Sequence, residues 1–288
     1  MYLERKIIMK KILPVIMILM LILSSCKGAE YNSDKIQVYA SFYAMNDFVR
    51  TVGGDDIVYH SIVPLDTEPH DFEPTAADMA KLSESDVFVY NGAGMESWAE
   101  KVADTLPDTV SVVCASSNLP EYLDGDPHVW LSFKNVKVQL QSICDAFSEV
   151  DASNAVKYQE RTNAYISEID ELENEYKNAG LSGRKIFVTH GAYEYLCNEF
   201  GMEQAALEGI SGESDPSPAQ MASVVDQIRA DGAKCIFYDP LEGDKIAKAA
   251  AQEAGIEALP LYTFEGDGEH RDYITVMREN LEQLKKAF

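Results

Sequence analysis

From Ala152 to Ala179 the chain runs for 28 residues without Gly or Pro, and no other feature limits its fold more. An unbroken stretch of that length in a globular protein predicts one helix of about eight turns. Asp151 precedes it as a candidate N-cap, and Gly180 follows it as a stop. The apolar positions Val156, Tyr165, Ile169, Leu172 and Tyr176 leave a wide charged face. Much of the helix should therefore be solvated, and it should join two bodies more stiffly than a Gly/Ser linker would.

Short β-branched or aromatic runs alternate with helix-like stretches on both sides of it. Before it, Lys35–Phe42, Ile57–Val63, Asp86–Tyr90 and Val110–Cys114 read as strands, and Met45–Val52, Ala76–Ser83 and Met95–Thr105 as helices. After it, Lys185–Thr189, Lys234–Tyr238 and Ile256–Tyr262 read as strands. Pro218–Ala230, with Ser217 as N-cap, Lys245–Ala254 and Tyr273–Phe288 read as helices. Such alternation predicts an α/β protein of two lobes, 35–150 and 181–288. Each lobe is a mainly parallel β-sheet flanked by helices, and one long rigid α-helix over 151–180 joins them. Ligands of such folds bind in the cleft near the carboxyl ends of the strands.

The first residues differ from the rest. Arg5, Lys6, Lys10 and Lys11 precede an apolar run from Ile12 to Leu23, too short to cross a bilayer and of signal-peptide form. Leu23-Ser24-Ser25-Cys26 resembles the lipobox of bacterial lipoproteins. That resemblance implies a signal over 1–25, a lipid on Cys26 that anchors the chain to the outer face of the cell membrane, and a tether over 26–34. The formal charge is −24, and removing the four basic residues and one acidic residue of the signal makes it more negative still. A nucleic-acid partner is excluded by that balance, and cationic ligands are favoured. Cys114, Cys144, Cys197 and Cys235 lack CxxC spacing and read as buried thiols.

Of the five histidines, three stand at strand ends or in the loops beyond. His70 lies in Thr67-Glu68-Pro69-His70-Asp71-Phe72-Glu73-Pro74, His128 in Asp126-Pro127-His128-Val129-Trp130 and His190 in Val188-Thr189-His190-Gly191. Separations of about 60 residues rule out a zinc finger or an HExxH helix, so any shared site must be assembled by folding. Each of these histidines taken singly fits a structural role as well as ligation. His60 and His270 read as a strand histidine and a surface-loop histidine.

Glu68-Pro-His-Asp-Phe-Glu-Pro74, Asp126-Pro-His-Val-Trp-Leu131 and Val188-Thr-His-Gly-Ala-Tyr193 resemble the solute-binding lipoproteins of zinc and manganese ABC transporters. The likeness extends to Asn91-Gly-Ala-Gly-Met-Glu96 with Trp98, to Asp215-Pro-Ser-Pro218 and to Asp272-Tyr273. It implies a metal held by His70, His128 and His190 plus one carboxylate of the second lobe. In the zinc branch that carboxylate is the Glu of a Leu-Asn-Pro-Leu-Glu-Gly-like stretch. Leu261-Tyr-Thr-Phe-Glu265-Gly266 is similar to it, so Glu265 is the implied fourth ligand, with Asp267 or water as alternatives. Three imidazoles and a carboxylate suit Zn²⁺ better than Mn²⁺. Glu68, Asp71, Glu73 and Asp126 are candidates to hold the imidazoles or add charge.

The resemblance implies a monomeric receptor, not an enzyme, that delivers zinc to an ABC permease. A manganese receptor, a zinc hydrolase and a surface adhesin are the alternatives. The His-rich loop of many zinc receptors has no counterpart, since Ser116–Gly125 contains no histidine.

Overall fold

Strand β1 (Ile36–Ala40) pairs in parallel with β2 (Ile57–Ser61) on one side and β3 (Val87–Tyr90) on the other, and β4 (Ser111–Cys114) extends the sheet beyond β3. Val38 thus faces Tyr59 across one ladder and Val87 across the other. Every residue of β3 is buried, as a strand covered on both faces requires. The computed structural model describes residues 35–210, 216–266 and 269–288. The signal, the tether, Cys26, Asp215 and Asp267 lie outside the described residues.

Four helices cover this sheet: α1 (Tyr43–Gly53), α2 (Ala76–Leu82), α3 (Ala99–Ala103) and α4 (Phe133–Val150). A capping box between Thr75 and Asp78 starts α2. The helix expected over 95–105 shrinks to α3. Gly92, Ala93 and Gly94 all have positive φ, and the Glu96 carboxylate folds back to accept the N–H groups of Asn91 and Gly92 at 2.8 and 3.0 Å. That closed turn occupies the residues that would have formed the first helical turns.

Helix α4 was not among the expected elements, although Ser132 caps it by accepting from Asn135 N–H. Helix α5 (Ala155–Lys177) follows and is shorter at both ends than the 152–179 expected. Asn154, not Asp151, occupies its N-cap position. Asp151 instead ends α4 and accepts from the side chains of Ser153, Asn154 and Tyr158. Burial works against its charge, but those donors prevail and hold its carboxyl down at about 2. Val156, expected on the apolar face of α5, is exposed. The buried face is Tyr158, Thr162, Ile169, Leu172 and Tyr176.

The second sheet repeats the first. Strands β5 (Lys185–Val188), β6 (Glu203–Ala206), β7 (Cys235–Tyr238) and β8 (Glu257–Pro260) lie parallel in the order β6-β5-β7-β8. Around it stand α6 (Glu194–Phe200), α7 (Pro218–Asp231), α8 (Lys245–Ala254) and α9 (Tyr273–Ala287). Ser217 and Gln220 form the capping box of α7, with Pro218 in its first turn. Strand β6 escaped the sequence reading because Glu-Gln-Ala-Ala has no β-branched residue; its backbone ladder to β5 makes it an edge strand.

Residues 36–288 form one compact unit. The chain has material for two separate cores, yet a single apolar cluster runs from Val38 and Phe48 beside the first sheet to Ile186 and Leu284 beside the second. Aromatic side chains tie the halves together. Tyr43 Oη donates to Arg271 O at 2.6 Å, Trp130 Nε1 to Thr263 O at 2.7 Å and Tyr273 Oη to Trp130 O at 2.8 Å. Helix α5 touches both halves: Arg161 donates to the carbonyls of Val52 and Gly53, and Tyr176 Oη to that of Met277. Cys144, Cys197 and Cys235 are buried free thiols, and Cys114 is a half-buried one.

Candidate metal centre

In each sheet the chain winds outward in both directions from the β1/β3 or β5/β7 pair. Parallel strands send all their carboxyl ends to one edge, and the loops leaving β2, β4, β5, β7 and β8 meet between the two sheets. Pro69 and Pro127 stiffen the chain just before two of the histidines. The ring centroids of His70, His128 and His190 are 5.0 to 5.9 Å apart. One ligand atom from each, with a carboxylate oxygen of Glu265, lies within 4.8 Å of all the others.

Each side chain is aimed by a different local device. Glu68 Oε1 accepts the backbone N–H of His70 at 2.8 Å and so shapes the turn that presents this ring. Asp126 Oδ1 accepts from both the backbone N–H and the Nδ1 of His128, at 3.0 and 2.7 Å. A carboxylate only accepts, so Nδ1 carries a proton and Nε2 is the nitrogen left for the cluster. His190 is reversed: its Nε2 lies 2.6 Å from the Ile210 carbonyl, which also only accepts, so Nδ1 is the nitrogen left for the cluster.

Glu265 is delivered by strained backbone. Phe264 sits at φ +67°, a region that costs a bulky residue roughly 1–3 kcal/mol. Its ring is held against Tyr43 and Tyr273, with centroids at 4.9 and 5.4 Å. Behind it, buried Asp239 accepts from Thr263 N–H at 2.6 Å and Leu241 N–H at 2.7 Å. Burial pushes the Asp239 carboxyl up to about 6 despite these bonds.

His70 Nε2, His128 Nε2, His190 Nδ1 and Glu265 Oε1 are all buried, and none has an aligned hydrogen-bond partner. The Glu265 oxygen stands 3.0 Å from His128 Nε2 and 3.8 Å from His70 Nε2. Donors about 2.0–2.2 Å from a tetrahedral zinc are about 3.3–3.6 Å apart, so only small movements separate this cluster from a coordination shell. Burial raises the Glu265 carboxyl, but the facing imidazoles outweigh it and hold the group well below the usual carboxylate range. The same mutual attraction works on the rings. His190 is pushed up to about 10: burial opposes its charge and is outweighed by the carboxylates of Glu242 and Glu265. His128 is raised in the same way by Asp126 and Glu265.

Asp71 and Glu73, considered beside Glu68 and Asp126, are exposed. His60 lies on β2, 3.3 Å from Gln37 Oε1 and stacked on Tyr39. His270 is an exposed loop residue. Neither belongs to the cluster.

The family model described as zinc-uptake complex component A, periplasmic (ZnuA), matches residues 38–287. The chain belongs to the ZnuA family. It is 30% identical over 291 residues to the high-affinity zinc uptake system protein ZnuA of Bacillus subtilis, covering 92% of this chain and 91% of that one. The crystal structure of the Zn(II)-bound ZnuA-like domain of Streptococcus pneumoniae AdcA superposes with a TM-score of 0.79 at 27% identity, covering 88% of this chain and 98% of that one. The laminin-binding protein Lmb of Streptococcus agalactiae, described as a bifunctional protein with adhesin and metal-transporting activity, gives 0.81 at 29% identity, with 88% and 99% covered.

Two acidic residues at the centre of this ZnuA-family chain went unnoticed in the sequence. Asp239 steadies the Glu265 loop, and Glu242 Oε1 stands 2.8 Å from His190 Nδ1. The local signal is weak: Asp239-Pro240-Leu241-Glu242-Gly243 has the Pro and Gly of a turn but no histidine beside its two acidic residues. Gly266 closes the centre by contact, since a Cβ there would lie 2.9 Å from Leu65 O and 3.2 Å from the Leu241 side chain. Gly266→Ala should therefore push the His70 loop outward, weaken metal binding about tenfold and lower the metal-free melting temperature by a few degrees, since overpacking costs about 1–3 kcal/mol. Calorimetric titration of the variant beside the parent checks this.

Proposed function

We propose that this protein is an extracytoplasmic receptor that binds Zn²⁺ through His70, His128, His190 and Glu265 and delivers it to the permease of an ABC transporter. The observation that carries the reading is the set of four buried donor atoms, none with an aligned hydrogen-bond partner, gathered within 4.8 Å of one another. Leaving such atoms without partners costs about 1–3 kcal/mol each unless a ligand satisfies them. The names of the relatives, a zinc uptake protein and a Zn(II)-bound domain, support zinc as that ligand. Three neutral nitrogens with one carboxylate favour it over the harder Mg²⁺ and Ca²⁺. A fourth donor from the protein also argues against hydrolysis, which needs an open position for water.

The halves 35–150 and 181–288 act as the two lobes of the receptor in this reading, with α5 as a brace between them. One shared apolar core and the cross-linking tyrosines favour small loop movements over a wide hinge, so zinc would be released when the His70 and Glu265 loops loosen. A signal over 1–25, a tether over 26–34 and a lipid on Cys26 would hold the receptor as a monomer on the outer face of the membrane, beside its permease.

Metal analysis of protein purified without chelator is the direct test. About one zinc per chain is expected, displaced by manganese only at large excess. Zinc at 1,000 times its Kd should stabilise the fold by about 4.1 kcal/mol, read as a rise in melting temperature that a chelator reverses. Protein that stays metal-free and shows no such rise would overturn the assignment.

A further inference from the structure

Three histidines and Glu265 leave one acidic side chain at the centre unassigned. Glu242 belongs to the loop leaving β7, and its side chain is 18% exposed where those of His190 and Glu265 are 0% and 1%. Its Oε1 is 2.8 Å from His190 Nδ1, the nitrogen that faces the cluster, because Nε2 spends its proton on the Ile210 carbonyl. A carboxylate that merely orients a liganding imidazole sits behind the ring, as Asp126 does on Nδ1 of His128. Glu242 sits in front. In the metal-free protein the contact is an ion pair with the His190 ring. An ion about 2.0–2.2 Å from Nδ1 and at a right angle to this oxygen is shared by both, because donors about 90° apart around such an ion are about 2.8–3.1 Å from each other; Glu242 lies outside the four donors gathered within 4.8 Å, so its side chain turns inward to join them.

We propose that Glu242 is a second carboxylate donor to the bound ion, so that the set is three imidazoles and two carboxylates. The proposal rests on the zinc-receptor reading above and extends it. Two carboxylates cancel the charge of a dication, where Glu265 alone cancels half. Since Glu242 is the one that reaches solvent, it is the carboxylate an arriving ion meets first and the last that a departing ion leaves.

Cobalt(II) in place of zinc reports the donor number directly, because its visible bands are weak with five donors and intense with a tetrahedral four. The wild-type protein loaded with Co²⁺ is expected to give the weak, split bands of a five-donor site. Glu242→Leu removes both oxygens and fills the space against a replacement water; its cobalt bands should intensify, and its zinc affinity should fall about 10- to 100-fold. Intense tetrahedral bands in the wild type would overturn the proposal, whether or not the variant folds. Bands unchanged by Glu242→Leu would overturn it too, whatever happens to the affinity. Failure of the wild type to take up either metal would instead refute the receptor reading itself.

Discussion

Replacing Glu265 by alanine is expected to weaken zinc binding more than 100-fold. The residue is fully buried, lies 3.0 Å from His128 Nε2 and 3.8 Å from His70 Nε2, and carries its charge against the cost of burial. Removing one member of a buried charge set typically costs about 3–5 kcal/mol, and each 1.4 kcal/mol is a factor of ten in Kd. Part of the loss is offset, because without this carboxylate His128 and His190 hold their protons less tightly and give them up to the metal more readily. Glu265→Gln keeps the shape and removes only the charge, so it should fall between the parent and the alanine variant. Competition against a zinc-chelating dye measures all three proteins. An alanine variant that binds like the parent would mean that water or another side chain is the fourth donor.

Zinc affinity should rise steeply with pH through neutrality. The sequence alone suggests a fall below about pH 6, from the ordinary imidazole value of about 6.5. The assembled centre moves this window upward. His190 is raised to about 10, so at neutral pH its ring holds a proton that zinc must displace, and His128 is raised in the same direction. Each displaced proton adds one logarithmic unit of affinity per pH unit, and calorimetry in buffers of different ionisation enthalpy counts the protons released.

Stability of the metal-free protein should run the other way. A raised imidazole contributes fully below its unfolded value near 6.5, and for His190 the contribution fades as pH climbs toward about 10. Glu265, being lowered, contributes above its ordinary value and loses that contribution in acid. The gap in melting temperature between zinc-loaded and metal-free protein should accordingly widen from pH 6 to 8. Affinity independent of pH between about 5 and 8 would refute imidazole ligation.

The class of fold was legible along the chain, because hydrophobic periodicity is a local property. Runs such as Val87–Tyr90 and Cys235–Tyr238, short and rich in β-branched and aromatic residues, read as strands, and Ser217-Pro218 announces the start of α7 within one residue. The resemblance to zinc- and manganese-transport lipoproteins, carried by short motifs, implied His70, His128, His190 and Glu265, and the structure gathers these four within 4.8 Å. Where a local signal was weak or rivalled, the reading failed: the polar edge strand β6 depends on its ladder to β5, and the Glu96 turn replaced helix with a ring of side-chain hydrogen bonds.

Which atoms face one another is fixed only when the chain is folded. No pattern in one dimension distinguishes the His190 nitrogen that meets Ile210 from the one that meets Glu242, or runs one large apolar cluster through both halves. Coordination and long-range packing depend on distances of a few ångströms between residues that are tens to hundreds of positions apart, and those distances exist only once the loops at the carboxyl ends of both sheets have been brought together.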